Sequence, residues 1–218
     1  MNQRKFVSSF AWIAALLVAA PAMGQLLNHP VQALPLGDAA GTTFVAAQSA
    51  RGLNDNSGKQ NSFAAGVGRA MEKVSFMGMA GYVASDTDKL TLGGNVAVHL
   101  LSDDSTPVQV SVQGGFGWVS LNLLTESLSI MSFPIGVAIQ GRPSGNATTV
   151  TPWLMPRLNM SRASIAGAST TTTDLGASAG LSVTSESGAG AHLAIDWVNV
   201  EGGSPFGLAI GVHYMVGG

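Results

Sequence analysis

Five side chains in this chain of 218 residues can be grouped for chemistry by type and position: His99, Arg157, His192, Asp196 and His213. His192 and Asp196 lie four residues apart in an alternating stretch, so both face one side of an extended strand. At about 3.3 Å per residue they stand roughly 13 Å apart, too far to share a metal ion unaided. Arg157 and Asp196 carry opposite charge on the small or polar faces of two different stretches, so they are expected to pair across the interior. A buried ion pair costs desolvation and gives little net stability. Its expected roles are a plug or register lock, or else a selectivity site. His99 and His213 face the same interior, and with His192 they form a polar cluster that would gate a lumen or bind a metal. The plainer reading is an interior hydrogen-bond set, and on it no metal and no cofactor are expected. Catalysis has no assembled nucleophile, base and orienter. No serine stands in Gly-x-Ser-x-Gly between a strand and a helix, and Gly66-x-Gly68 and Gly176 to Gly180 belong to strands, not to a phosphate loop. The chain is not expected to be an enzyme.

The elements that must position these residues are strands. Between Pro205 and Val216, Phe206, Leu208, Ile210, Val212, Tyr214 and Val216 alternate with Gly207, Ala209, Gly211, His213 and Met215. Period two with one large apolar face and one small face marks a two-faced β-strand. The pattern recurs in about ten segments from Thr42 onward, separated by turn signals. It is clearest where Val108, Val110, Val112, Phe116 and Trp118 oppose Gln109, Ser111, Gln113, Gly115 and Gly117. It is poorly defined from Thr42 to Leu53. Between Val150 and Met160, Pro152 and Pro156 remove ladder donors, so that segment is expected to be irregular or bulged. If these two segments are not wall strands, the count falls to eight. Loops are expected at Asn54–Asn61, Leu121–Ser127 and Ser161–Thr173.

Composition agrees. Hydrophobic residues make up 46% and charged residues only 10%, against about 25% charged in ordinary soluble domains. The few charges fall almost entirely in the expected turns, which a lipid-facing wall requires, because a charge at mid-depth costs about 2–4 kcal/mol. A soluble sandwich would carry charge on its outer strand faces. There is no cysteine, hence no disulfide and no thiolate metal site.

The first 24 residues read as a signal peptide: Arg4 and Lys5, an apolar run from Phe10 to Ala20, then Ala22-Met23-Gly24 before a cut at Gln25. Residues 25–41 form a periplasmic lead-in, and residues 42–218 form the barrel domain. Beyond the leader, eight Lys/Arg and twelve Asp/Glu remain, which is no nucleic-acid footprint. No later stretch reaches the length of a spanning helix, which leaves a β-barrel as the integral option.

With leader, alternating strands and turn spacing together, residues Thr42 to Val216 resemble the small bacterial outer-membrane β-barrel proteins. The resemblance implies an all-β, antiparallel, up-and-down transmembrane barrel of about ten strands, located in the outer membrane after signal-peptide cleavage. It implies outer-membrane lipid as a partner and recognition of the C-terminal strand by the barrel-assembly machinery. In that family the last strand commonly ends in an aromatic residue, whereas Tyr214 is followed by Met215-Val216-Gly217-Gly218. Phe76, Tyr82, Phe116, Trp118, Phe133, Trp197, Phe206 and Tyr214 are the candidates for an interfacial girdle. The expected role is structural or passive, as a membrane-wall protein, or that of a narrow channel for small solutes. Surface adhesion through the loops, or a soluble secreted β-fold, are the alternatives.

Overall fold

The computed structural model describes residues 41–57, 60–84, 89–101, 106–123, 126–142, 148–200 and 203–217. They form ten strands: β1 (Thr43–Gly52), β2 (Asn61–Ala70), β3 (Val74–Ala84), β4 (Lys89–Leu101), β5 (Val108–Leu123), β6 (Glu126–Gly141), β7 (Thr148–Ile165), β8 (Ala168–Ser185), β9 (Ala189–Asn199) and β10 (Phe206–Val216). A single 3-10 turn, Asp55–Ser57, lies between β1 and β2. Each strand pairs antiparallel with the next, and β1 closes on β10 from Thr43↔Val216 to Gly52↔Gly207. Closure leaves no open edge along the wall, so none needs a covering layer. The expected leader and the lead-in, apart from Gly41, fall outside the described residues.

The two faces read from the sequence are the two faces of the wall. Leu90 is 64% exposed and Ile210 61%, and Phe63, Ile135, Leu158 and Leu193 also point outward. Their inward neighbours Thr91, Ala209, Ser62, Asn159, Pro134 and Ala194 are buried. All eight girdle candidates lie on the outward face, exposed or half-buried. Trp118 donates its indole N–H to Ser129 Oγ at 2.9 Å, the amphipathic use of a ring at a polar boundary.

Four expectations need correction. The segment with two prolines is the regular, 18-residue strand β7. Pro152 and Pro156 point outward, and the β8 ladder runs unbroken past both, pairing them with Leu181 and Ala177. Only the β6 ladder is interrupted, opposite Pro156, between Gly136↔Arg157 and Ile139↔Leu154. A proline thus costs one donor on one side, and the strand stays in the wall. The strand count is therefore ten, and β1 is well formed, with Phe44, Ala46, Gln48 and Ala50 buried inward.

The expected loop at Ser161–Thr173 is instead the top of a long hairpin, β7–β8, paired down to Ile165↔Ala168. Its turn is Ala166–Gly167, with φ of 48° and 82°. Two positive φ values in a two-residue connection match the right-handed twist of the strands. The Ser/Thr run was a sign of exposure and not of a turn, because β-branched Thr is at ease in a strand. Of the loop expected at Leu121–Ser127, the described residues are likewise strand: Leu121↔Leu128, Asn122↔Ser127 and Leu123↔Glu126 belong to the β5–β6 ladder, and residues 124 and 125 lie outside the described residues.

Candidate functional site

The interior is where the candidate residues meet. Arg157 on β7 stands opposite Gly136 on β6 and Gly176 on β8. With no side chain at residue 176, the guanidinium crosses β8 to reach β9. Its Nη2 donates to Asp196 Oδ1 at 2.6 Å, and its Nη1 donates to Ser178 Oγ. Ser178, the register partner of Asp196, donates its hydroxyl to the same Oδ1 at 2.6 Å. The side chains of Arg157 and Asp196 are 4% and 6% exposed. The ion pair therefore exists, but it runs along the wall through β7, β8 and β9 and does not cross the lumen. The short path over Gly176 makes the wall route available. Chemically this is a neutralised, hydrogen-bonded charge set that fixes three strands in register.

Two histidines meet further along β9. His192 on β9 and His213 on β10 are diagonal neighbours, because His192 pairs with Gly211 and His213 with Gly190. Their ring centroids are 6.1 Å apart and their planes differ by 20°. Each ring lies over its partner glycine: a methyl at residue 211 would be 2.5 Å from His192 Nε2, and one at residue 190 would be 2.5 Å from His213 Cε1. His213 Nε2 is 2.9 Å from Thr184 Oγ1. His192 Nδ1 and Nε2, and His213 Nδ1, have no hydrogen-bond partner among the described residues.

His99 is not brought to this group. It lies on β4, where Nε2 is 3.0 Å from Ser75 Oγ of β3. The expected five-residue cluster is thus two pairs and one separate histidine.

Large side chains fill the remaining space. Trp153 and Met155 of β7 pack in one cluster with Ala194, Ala209 and Ala50 of β9, β10 and β1, so they bridge the interior. Phe44, Ala46, Met77, Met79 and Ala97 form a second cluster, with Ala64 and Met215 against it. Several of the small inward residues serve as floors for large neighbours. Ser178 and Thr184 were not singled out in the sequence. Their signal is register: each stands inward on β8 beside a strand position that carries a charged or imidazole partner.

No family model matches the chain, and no curated protein does. Solved structures do. The chain is similar to the N-terminal β-barrel domain of Pseudomonas aeruginosa OprF, with 11% identity and a TM-score of 0.41 over 81% of this chain and 98% of that one. It is similar to the Yersinia pestis outer membrane protein Ail in a phospholipid bilayer nanodisc, with 11% identity and a TM-score of 0.44 over 81% and 99%. It is also similar to the translocator domain of the autotransporter NalP from Neisseria meningitidis, with 11% identity and a TM-score of 0.45 over 96% and 97%.

Proposed function

We propose that this chain is a small bacterial outer-membrane β-barrel with a structural role, a wall element whose interior is closed to solutes. The observation that carries this is the inversion of a soluble protein: a closed barrel with its large apolar residues outside and its polar residues inside. On β7 the outward apolar band runs from Val150 to Met160. Ten residues at about 3.4 Å each, tilted roughly 40°, span about 26 Å, which matches the apolar band of such barrels. Buried Trp153, Met155, Phe44 and Met77 support the closed form over the narrow solute channel. On this reading the partners are lipid and, through β10, the assembly machinery; export uses the N-terminal leader, and the chain performs no catalysis.

A heat-modifiability gel on detergent-folded protein, with circular dichroism of the same sample, tests the reading. The expected result is a band that shifts on boiling and a strand-dominated spectrum. Solubility without detergent and no shift would refute it. In planar bilayers the folded protein is expected to give no conductance steps above lipid background, and regular steps would restore the solute-channel reading.

A surface-interaction role is the second reading. It is favoured by the β7–β8 hairpin, which continues past the apolar band with Arg162, Ser169, Thr171 and Thr173 exposed. Shortening that hairpin would abolish such binding to cells and leave the heat-modifiable barrel intact.

A further inference from the structure

We propose that His192 and His213 form a labile binding site for a first-row transition-metal ion, of the Cu²⁺ or Zn²⁺ class, inside the barrel. The two imidazoles belong to neighbouring strands, and their planes are nearly parallel, 20° apart, with centroids 6.1 Å apart. A metal bonded to one nitrogen of each ring at about 2.0–2.1 Å sits about 3.2 Å from each centroid, so two sharing rings stand about 5 Å apart at a tetrahedral angle and about 6.4 Å apart when linear. The observed separation falls within that range, and binding would turn the rings so that one nitrogen of each points at the ion.

The donor atoms are free. His192 is 3% exposed, yet neither ring nitrogen has a hydrogen-bond partner among the described residues. A buried polar ring in that condition costs free energy until something bonds it. His213 is arranged as a ligand usually is. When its Nε2–H donates to Thr184 Oγ1, at 2.9 Å, the tautomer is fixed and the lone pair falls on Nδ1, which has no partner. An outer hydrogen bond of this type orients a metal-bound histidine.

The surroundings select the class of ion. Imidazole suits copper, zinc and nickel, whereas magnesium and calcium need carboxylate or carbonyl oxygen. Asp196 is already held by Arg157 and Ser178. Gly190 and Gly211 give both rings their place against the wall. The site has two protein nitrogens, so it is open and exchangeable, unlike a closed structural zinc site.

The test uses the folded chain without an affinity tag, titrated with Cu²⁺ and read by electron paramagnetic resonance. One saturable centre per barrel, with hyperfine structure from two imidazole nitrogens, is expected. His192→Ala and His213→Ala each remove it. His192→Gln, which fills similar space without ligating, also removes it, and Thr184→Val weakens binding about tenfold, as loss of an outer hydrogen bond does. His99→Ala leaves the signal unchanged. A heat-modifiability gel on every variant confirms that the barrel has formed. No saturable centre in the folded parent would overturn the proposal, and so would a signal retained in folded His192→Gln or lost equally in His99→Ala.

Discussion

The indole of Trp153 on β7 lies against Gly180, its register partner on β8: a methyl at residue 180 would come within 2.6 Å of Cζ2 and 2.7 Å of Cε2. The relation recurs. Phe44 covers Gly68, Met79 covers Gly66, His192 covers Gly211 and His213 covers Gly190, each across one rung of the ladder. A narrow barrel cannot hold large side chains at every inward position, and one of each of these pairs is reduced to hydrogen. This divides the inner wall into large groups and floors.

Gly180→Ala is therefore expected to destabilise the barrel by about 1–3 kcal/mol through overpacking. The urea midpoint of the barrel folded in detergent should fall, with a change in tryptophan emission as the Trp153 ring moves. Ala179→Gly changes an outward-facing neighbour on the same strand and should leave the emission unaltered. An unchanged midpoint in Gly180→Ala would show that the ring has somewhere else to go.

The Arg157–Asp196 pair gives a sharper test, because both groups are buried. Removing one partner strands the other charge, so Arg157→Met and Asp196→Leu are each expected to cost about 3–5 kcal/mol. Removing both together should cost less than either alone, since no charge is then left unpaired. A double variant as unstable as the sum of the singles would mean that the two side chains contribute independently, and that the register of β7, β8 and β9 does not depend on their contact.

Much of the fold is legible in the sequence, because period two and the scarcity of charge are both direct consequences of a closed wall with an apolar outer face and a small or polar inner face. The ten segments, their outward residues and the inward placement of His99, Arg157, His192, Asp196 and His213 all follow from that. The hairpin tops do not. Ser161–Thr173 is polar on both faces above the apolar band, so it loses the alternation that marks a strand although its ladder continues to Ile165↔Ala168. The site pairs are hidden for another reason. Which inward residues touch depends on strand register, and alternation within one strand carries no information about its neighbour. The meeting of His192 with His213 rests on the rungs His192↔Gly211 and Gly190↔His213, and that of Arg157 with Asp196 on the gap at Gly176.

At the tip of the long hairpin, Ala166 holds φ of 48°, a left-handed conformation that costs an L-residue with a side chain roughly 1–2 kcal/mol. Ala166→Asn supplies a residue suited to the first position of a two-residue turn before Gly167. It is expected to slow proteolysis of the hairpin and to leave the barrel's unfolding midpoint unchanged or slightly raised. Faster cleavage at the tip would count against the assigned turn.

A charge scan down one hairpin separates the lipid-facing band from what projects beyond it. Leu158 is exposed on the outward face of β7, while Thr171 is exposed near the tip of β8. Leu158→Arg puts a charge in the apolar band, where it is expected to cost about 2–4 kcal/mol at mid-depth and less toward either interface. Thr171→Arg lies above the band, opposite Arg162 in the ladder, and should cost no more than the mild repulsion of two exposed like charges. Folding yield into phospholipid vesicles, read by the heat-modifiability gel, checks both. The expected order is parent and Thr171→Arg together, with Leu158→Arg well below. The same pair in a soluble barrel would show no such order, since water would solvate either arginine, so equal yields would contradict burial of the outward face in lipid.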